Sequence, residues 1–513
     1  MNNNISDIEA VLKLTIKTCE SFLKFENKKD VFFVDPIEKC EIGEHYGASH
    51  AAASFIILGI LQPKSDFLKK GISLLSSLLD RWDKIKKQKN FHADFNNFAL
   101  IIAYDYLTQI EREICLKIKD KLLNTSDSKH NTINWLPMRW YVNNRKFEWT
   151  NDKKYIKIAN ACKLKIEQAT NEDGGIEDIL PKGTSFNLQY NLSTVALLQF
   201  MRCRGLEIDL SNQMGFLLNI KAPDGDINYQ GRGTNQIFAW GMWIYLLSSS
   251  KNDKHTKGAI SFLENNIGDM LKNKNIMLNK FSGYDKHLWW DYHFSSVYIA
   301  HFLFWLVLSI AEKNKKSIPE SYNKLNDTGV KIYKSSSYFI STFKGRKKYL
   351  AEIGPVISAI WLKKYGMINK GVFGPWLGMF GNNNLNDEVI LKNYTGLIRK
   401  AHNINWDKYK LINKFFPKIK SEAFVRIKPL LTKFDVKEEK NSIIIIFDNI
   451  NNEEVVFNIP VLDSVKKTPE ISLMADGNQM KFYNNNKIKT QYGWCDIYQS
   501  KRSNAREWIL RIT

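Results

Sequence analysis

The sequence contains none of the short motifs that mark the common metal, nucleotide and serine-hydrolase sites. HExxH, Walker A, GxSxG and a GxGxxG loop between a strand and a helix are all missing. The six cysteines show no CxxC or metal-ligand spacing, which indicates reduced thiols rather than a disulfide framework. We therefore expect neither a metal nor a cofactor. The cysteines are Cys19, Cys40, Cys115, Cys162, Cys203 and Cys495.

Long hydrophobic runs and an export signal are also missing. The longest apolar run, residues 297–310, is interrupted by His301 and is shorter than the about 20 residues that span a bilayer. The N-terminus is not a basic segment followed by an apolar one. The sequence thus predicts a soluble, cytoplasmic protein without a membrane partner, or a periplasmic or secreted one if this N-terminus is a processed form.

Acidic residues are scarce relative to basic ones. The 513 residues include 74 Lys and Arg against 53 Asp and Glu, a formal net charge of +21. Such an excess favours an anionic partner, although solvated lysines in a biased composition are an alternative. No nucleic-acid-binding module is recognisable, so we expect no nucleic-acid partner. The 14 tryptophans suggest stacking surfaces, and an acidic polysaccharide is one partner that this charge would suit. We leave the oligomeric state open.

Apolar residues recur at helical spacing through the first two-thirds of the chain, which favours an all-α layer. Two similar loops, Asp173-Gly174-Gly175-Ile176 and Asp224-Gly225-Asp226-Ile227, lie 51 residues apart (224 − 173). This spacing fits one helical hairpin per repeat, and such hairpins are predicted to close into an (α/α) toroid. The predicted helices cover about residues 8–23, 49–61, 66–82, 96–123, 154–169, 188–203, 208–220, 237–247, 256–271 and 294–311.

After about residue 325, short segments rich in β-branched and aromatic residues alternate with turn signals. We expect an α+β multidomain protein, with a toroid in residues 1–325 and an antiparallel β-sandwich in residues 326–513. The predicted strands are 330–333, 338–343, 442–447, 454–459, 480–483 and 508–512, with turns at 449, 451–452, 476–477 and 484–486.

Residues 224–241 are the richest candidate for a functional loop. They combine carboxylates, amides, a guanidinium and aromatic rings with four glycines, which let a backbone turn sharply and approach a ligand. Planar amide, guanidinium and aromatic groups suit the binding of a sugar acid. The alternative is a glycine-rich loop that only caps a helix.

A helical toroid followed by an antiparallel β part resembles the polysaccharide lyases of the chondroitin AC lyase, heparinase II/III and alginate lyase type. Asp224-Gly225 and Tyr229-Gln230 match elements of those families loosely. No histidine follows Gln230, and Phe238 or Trp240 stands where a tyrosine is expected before the helix. The resemblance implies a lyase that cleaves a uronic-acid glycan by β-elimination, with a capsule or exopolysaccharide pathway as a suitable setting.

Such a reaction requires a group that neutralises the uronate carboxylate, a base for the α-proton and an acid for the leaving oxygen. Tyr229 is our first candidate for the base or acid. Arg232 is the candidate partner of the carboxylate, because arginine pairs bidentately with such groups. The alternative for Arg232 is an internal salt bridge to Asp224 or Asp226.

The start of the predicted helix at 188 supplies further candidates. Asn187 and Asn191 share one helical face and could each bind a carboxylate, with Tyr190 beside them as a possible acid or base. The alternative for Asn187 is an N-cap, and Ser185 could serve that purpose too.

Residues 287–293 form a third candidate group. His293 and Tyr292 could act as base and acid, and Trp289 and Trp290 could stack on sugar rings. The alternative is a structural histidine among packing residues.

The remaining candidates for substrate binding have plain structural alternatives. Residues 135–145 look like a glycan-binding wall, with Arg139, Asn143 and Asn144 as polar contacts, unless both tryptophans of this segment are buried packing residues. Asn235 and Gln236 are candidates for substrate binding because they belong to the loop at 224–241. His92, with residues 44–50, could line the same cleft or only cap a helix.

Two other functions compete with the lyase. A glycoside hydrolase on the same toroid needs two carboxylates across a cleft, for which Asp173, Asp224 and Asp291 are candidates. A non-catalytic acidic-glycan-binding protein would explain the missing histidine after Gln230.

Overall fold

The structure, a computed structural model, consists of helices followed by strands. The described residues are 2–27, 32–43, 45–88, 91–231, 233–281, 294–321, 327–343, 356–370, 380–381, 432–439, 442–450, 454, 456–465, 467–490 and 492–513. Within them, twelve α-helices precede thirteen strands. The helices are α1 (Asn2–Phe22), α2 (Gly47–Leu61), α3 (Phe67–Ile85), α4 (Ala93–Leu107), α5 (Arg112–Leu123), α6 (Leu136–Thr150), α7 (Lys153–Ala169), α8 (Leu188–Cys203), α9 (Ser211–Ile220), α10 (Ile237–Ser249), α11 (Asp253–Lys272) and α12 (Ser295–Ala311).

Six helices form a closed ring and six surround it. The inner helices α2, α4, α6, α8, α10 and α12 pack against one another in that order, and α12 packs against α2. Each of the outer helices α3, α5, α7, α9 and α11 packs against the inner helix before it, and α1 packs against α12. Within the described residues, the predicted ring of helical hairpins is therefore confirmed.

The hydrophobic pattern explains which helices lie inside. Every residue of α12 from Ser295 to Ser309 is buried, as expected for a helix that is apolar on all sides. In α3 a single stripe that includes Leu75, Leu79 and Trp82 is buried. None of the helices described in the structure is both long enough and apolar enough to cross a bilayer.

One helix prediction was wrong, and one predicted binding segment is helical. The segment predicted as one helix over 96–123 is two helices, because the chain turns at 108–111 while apolar residues such as Leu107 and Ile110 continue the periodic pattern across the turn. The segment 135–145, predicted as a binding wall, lies mostly in α6, with Pro137 in the first turn where a missing N–H costs nothing.

Thirteen strands form three antiparallel sheets in the described part of the C-terminal region. The sheet orders are β1-β2-β3-β4, β10-β9-β13-β7-β6 and β11-β12-β8-β5. The strands are β1 (Val330–Lys334), β2 (Tyr338–Phe343), β3 (Val356–Leu362), β4 (Gly366–Lys370), β5 (Phe380–Gly381), β6 (Thr432–Glu439), β7 (Ser442–Asn449), β8 (Val456–Leu462), β9 (Ile471–Ala475), β10 (Asn478–Met480), β11 (Phe482–Thr490), β12 (Gly493–Ser500) and β13 (Glu507–Ile512).

The three sheets share one core, to which Ile360, Phe447 and Phe457 each contribute from a different sheet. A sandwich of two sheets was expected, so the antiparallel prediction is confirmed but the two-sheet arrangement is not. The turn predicted at 484–486 lies inside β11 instead. The pairing of β11 with β12 shifts in register between Asn484 and Asn486, so the asparagines form a bulge in the strand rather than a turn.

Candidate functional site at the mouth of the helical ring

The longest connections of the ring lie at one end, which we call the mouth. Five of the six segments that lead from an outer to an inner helix are longer than every segment that leads outward again, and the sixth, 86–92, is as long as the outward segment 204–210. Long surface loops on a rigid scaffold are where binding groups are usually found. The inward segments are residues 23–46, 86–92, 124–135, 170–187, 221–236 and 273–294, and the outward segments are 62–66, 108–111, 151–152, 204–210 and 250–252.

Hydrogen bonds between the inward segments show that they meet. Ile133 N donates to Asp178 O at 2.8 Å, which joins the segments before α6 and α8. Ile237 N donates to Leu278 O at 3.0 Å, which joins the start of α10 to the segment before α12. The N-terminal ends of the inner helices are thus gathered at the mouth, where their positive dipole ends favour negative charge.

Five side-chain rings lie in sequence along one side of the mouth. From Phe294 the ring centroids are 4.8 Å apart to His45, then 4.0 Å to His92, 5.1 Å to Trp135 and 4.7 Å to His130. We call these residues the aromatic row. His130 is exposed and the other four are half-buried, so the row faces solvent. Within the described residues, no three His, Cys, Asp or Glu side chains are placed to hold a metal ion.

A second pair of histidines lies beneath the aromatic row. His50 and His301 are buried with ring centroids 5.0 Å apart, and Tyr46 contacts both rings as well as that of His92. Trp305 Nε1 donates to His301 Nε2 at 3.0 Å, so the neutral ring carries its proton on Nδ1. Since His50 Nδ1 lies 3.0 Å from Tyr46 O, it must be the donor.

Acid is expected to destabilise the protein through His301. Burial holds the pKa of His301 at about 3, whereas in the unfolded chain it gains a proton below about pH 6.5. Stability that is complete above that pH is therefore lost as the pH falls, by about 2 kcal/mol between pH 6.5 and 5. Urea unfolding at pH 7 and pH 5 should show that His301→Gln loses about 2 kcal/mol less than the wild type. An equal loss in both proteins would contradict this assignment.

A pair of carboxyl groups lies behind the His130 end of the row. Arg139 Nη2 donates to Asp94 Oδ2 at 2.8 Å and to His130 O at 2.7 Å, and Asn143 Nδ2 donates to Asp127 Oδ2 at 3.0 Å. Burial raises the pKa of Asp94 to about 6 despite Arg139, and the charge of Asp127 adds to this increase. Asp94 is thus an acid that can hold a proton near neutral pH.

The opposite side of the mouth is covered by the sheets. Asp173 Oδ2 accepts from Thr328 N at 3.0 Å and from Thr328 Oγ1 at 2.8 Å. Lys370 Nζ, on β4, donates to Asp224 Oδ2 at 2.6 Å and to Asp226 Oδ2 at 2.9 Å. The two Asp-Gly loops found in the sequence are therefore the points where the ring holds the strands.

Asp226 is the centre of this junction. It is fully buried and also accepts from the Tyr492 hydroxyl at 2.6 Å and from Asn228 N at 2.9 Å. Burial alone would raise the pKa of Asp226, but the Lys370 ammonium and these hydrogen bonds outweigh it and hold the pKa below its usual value. Burial would lower the pKa of Lys370, but the two carboxylates raise it. The cluster is therefore a charged pair at neutral pH.

Two buried amides near the junction keep N–H groups without acceptors among the described residues. Gln230 Oε1 accepts from Ser358 Oγ at 3.0 Å, where β3 has a bulge that re-aims Ser358. Asn191 Oδ1 accepts from Ile176 N at 2.7 Å. Among the described residues, Gln230 Nε2 and Asn191 Nδ2 have no hydrogen-bond acceptor, so each amide uses its oxygen but not its N–H groups.

Tyr229, the first candidate for the base or acid, does not face the mouth. Tyr229 is fully buried, and its hydroxyl donates to Ile220 O at 2.7 Å. Burial raises the pKa of Tyr229 far above its usual value. Asn187 lies at the N-cap of α8 and accepts from Gln189 N and Tyr190 N, which is the alternative considered for it, and Tyr190 is buried beside it.

The other predicted binding residues are divided between the two sides of the mouth. Arg139 and Asn143 lie behind the aromatic row and are committed to the carboxylates described above. His92 lies in the row itself. Asn235 and Gln236 are buried just before α10, with Asn235 in the left-handed region at φ 54°.

Several predicted residues lie outside the described part of the chain. The described segments end at Phe281 and resume at Phe294, and Gly231 is followed by Gly233. The predictions concerned are Arg232, Trp289, Trp290, Asp291, Tyr292 and His293.

Sequence reasoning missed Lys370 and Tyr492 at the junction and His130 in the row. Nothing near Lys370 or Tyr492 in the sequence marks a partner on the ring. A usable signal existed for the histidines: His45, His92 and His130 each fall in the segment just before an inner helix.

Comparisons with known proteins give only distant likenesses. No protein-family model and no curated protein matches the chain. The GH76A α-1,6-mannanase from Salegentibacter sp. HEL1_6 is 12% identical over 59% of this chain and 100% of its own, with a TM-score of 0.42. A mutant unsaturated glucuronyl hydrolase from Streptococcus agalactiae is 12% identical over 60% of this chain and 92% of its own, and an unsaturated glucuronyl hydrolase specific for heparin is 10% identical over 61% and 99%, both with a TM-score of 0.42. These likenesses are too small to assign a reaction or a substrate to this chain.

Proposed function

We propose that this protein is an enzyme that cleaves an acidic glycan at the mouth of the helical ring, by β-elimination beside a uronate. The observation that carries the proposal is the aromatic row, which places two stacked imidazoles and a half-exposed indole at the positive ends of the inner helices. Trp135 offers an apolar face to the C–H face of a sugar ring. His45 and His92 offer a base and an acid within one ring-stacking distance.

We assign two proton transfers to the histidines, one from the substrate to an imidazole and one from an imidazole to the leaving group. One imidazole takes the proton from C5 of the uronate, and the electron pair of that C–H bond forms the C4–C5 double bond. The C4–O bond breaks, and the leaving oxygen takes a proton from the other imidazole or from water. We retain His293 as a further candidate because it directly precedes Phe294, the first ring of the row; Tyr292, Trp289 and Trp290 stay proposals on the same ground.

The uronate carboxylate requires donors that neutralise it. The helix N-termini and the net positive charge of the chain support an anionic substrate. We keep Arg232 as a possible addition to this set. For Tyr229, Tyr190 and Asn187 we propose packing and capping roles, because their polar groups are buried and Tyr229 and Asn187 are committed to the backbone.

The test is ultraviolet absorbance during incubation with glucuronan, alginate, glycosaminoglycans and N-acetylgalactosaminuronate polymers. The expected result is a rise with one of these polymers, because β-elimination creates an unsaturated uronate that absorbs. Shorter chains without a rise would replace the lyase proposal with hydrolysis. Binding without chain shortening would replace it with the non-catalytic reading.

Hydrolysis is the second candidate, and the Asp94–Asp127 pair favours it. A glycoside hydrolase requires one protonated and one ionised carboxyl group. The pKa of Asp94 near 6 suits the acid, and Asp127 lies next to it in the same charge cluster. Of the carboxylates first considered, Asp173 is bound by Thr328 and Asp224 by Lys370, as Asp94 is by Arg139, and Asp291 lies outside the described residues.

We also propose that residues 1–325 and 326–513 form two domains. The helices end at Ala311 and the first strand begins at Val330, which supports a boundary between them. Limited proteolysis that releases two stable fragments cut between these residues would be the expected result.

A further inference from the structure

The start of β12 is fixed to the mouth at two consecutive residues. The Tyr492 hydroxyl donates to Asp226 Oδ2 at 2.6 Å and to Asn228 O at 2.9 Å, both in the segment before α10. Gly493 has a φ of +109°, which favours glycine, and a β-carbon there would lie 3.2 Å from the ring of Phe281, in the segment before α12. These contacts fix the backbone just before Trp494 to the segments that form the mouth.

Trp494 is the most solvent-exposed tryptophan among the described residues, with 48% of its surface accessible. It is the first outward position of β12, and its carbonyl accepts from Asp463 N at 2.9 Å, which fixes the strand beneath the indole. The neighbouring rim carries positive charge: Lys280 is exposed, with its ammonium 5.2 Å from the centroid of Phe281. Trp494 follows Gly493 in the chain and Lys280 precedes Phe281, so these two exposed residues flank the contact between Gly493 and Phe281.

We propose that Trp494 and Lys280 form an outer sugar-binding subsite, which holds a residue of an acidic glycan that extends from the mouth. The inference rests on the substrate class of the proposed function but not on its chemistry. The indole covers the apolar face of a sugar ring, and Lys280 attracts its carboxylate or sulfate. The aromatic row on the opposite side provides the inner contact, so one extended chain engages both parts of the protein.

Fluorescence anisotropy of fluorescein-labelled alginate, hyaluronan, chondroitin sulfate and heparin, with labelled dextran as the neutral control, tests the subsite. We expect Trp494→Ala to weaken the binding of at least one anionic polymer about tenfold, and Trp494→Phe to retain most of it. Leu116→Ala is the matched control, because Leu116 is 60% exposed on α5, an outer helix. It should bind like the wild type.

Charge is tested separately by Lys280→Ala. This variant should weaken the binding of the anionic polymers, and the loss should shrink at high salt. Unchanged affinity in Trp494→Ala for every polymer, or no binding of any anionic polymer by the wild type, would overturn the subsite. Binding that depends on Trp494 without chain cleavage would uphold the subsite while overturning the proposed enzyme, so the two failures are distinguishable.

Discussion

Replacing Lys370 by methionine is expected to lower the free energy of unfolding by about 3–5 kcal/mol. The variant leaves the buried Asp226 carboxylate with only the Tyr492 hydroxyl and Asn228 N as donors. A buried charge without its counter-charge is costly, while methionine fills a similar volume, so the loss reports charge rather than a cavity. Guanidinium unfolding at pH 7 followed by tryptophan fluorescence measures it.

A second lysine provides the control. Lys334 also reaches from the sheets to the ring, where its ammonium donates to Asn219 O at 3.4 Å, but it is exposed. Lys334→Met should therefore change the unfolding free energy by less than about 0.5 kcal/mol. Adding Asp226→Asn to Lys370→Met should recover part of the loss, because the amide carries no charge. Equal effects of the two lysine variants would show that the junction is not held by its buried charges.

The helices could be predicted from the sequence because their pattern is local. The inner helix α12 is apolar on all sides and the outer helix α3 shows one apolar stripe, so the hydrophobic pattern alone locates both helices. The pattern failed at 108–111, where Leu107 and Ile110 continue the apolar series through a turn. Ring closure was inferred from a repeat of two loops, whereas the contact between α12 and α2 that closes the ring has no local signal.

The function of the Asp-Gly loops could not be predicted because their partners are remote. Asp173 binds Thr328 at a separation of 155 residues, and Asp226 binds Lys370 at a separation of 144. Carboxylates next to glycines have the same appearance whether they face a ligand or a distant strand. The sequence therefore assigned Tyr229 to the substrate, whereas its hydroxyl donates to the backbone of Ile220 inside the ring.

For the aromatic row, the positions of the residues could be predicted but their contact could not. Each of His45, His92 and Trp135 precedes an inner helix, a position that the sequence does provide. Their contact depends on the inner helices starting at the same end of the ring, which requires the closed arrangement. The sequence accordingly allowed His92 and residues 44–50 to line a cleft but favoured capping and core roles for them, and it predicted 135–145 separately as a glycan-binding wall.

Replacing His92 by phenylalanine is expected to reduce the rate of glycan cleavage by about 10²–10⁴-fold. Phenylalanine preserves a ring between His45 and Trp135 but cannot carry a proton. The backbone carbonyl of His92, which accepts from Asn96 N and Nδ2 at 3.1 Å, is untouched, so the fold should be unchanged. Initial rates with the polymer that gives the ultraviolet rise, measured at saturation and at low concentration, separate kcat from KM.

A loss in kcat with a nearly unchanged KM is the outcome that assigns proton transfer to His92, because the stacking surface for the sugar is retained. His255→Phe is the control: His255 lies on the outer helix α11, so its replacement should leave the rate within about twofold, as expected for a substitution away from the reacting groups. His45→Phe should match the loss in His92→Phe, and the double variant should be little worse than either, since residues that act as one unit are not additive. If His92→Phe retained more than about a tenth of the wild-type rate, the imidazole pair would be excluded as the acid and base, and the carboxyl group of Asp94 would become the group to replace.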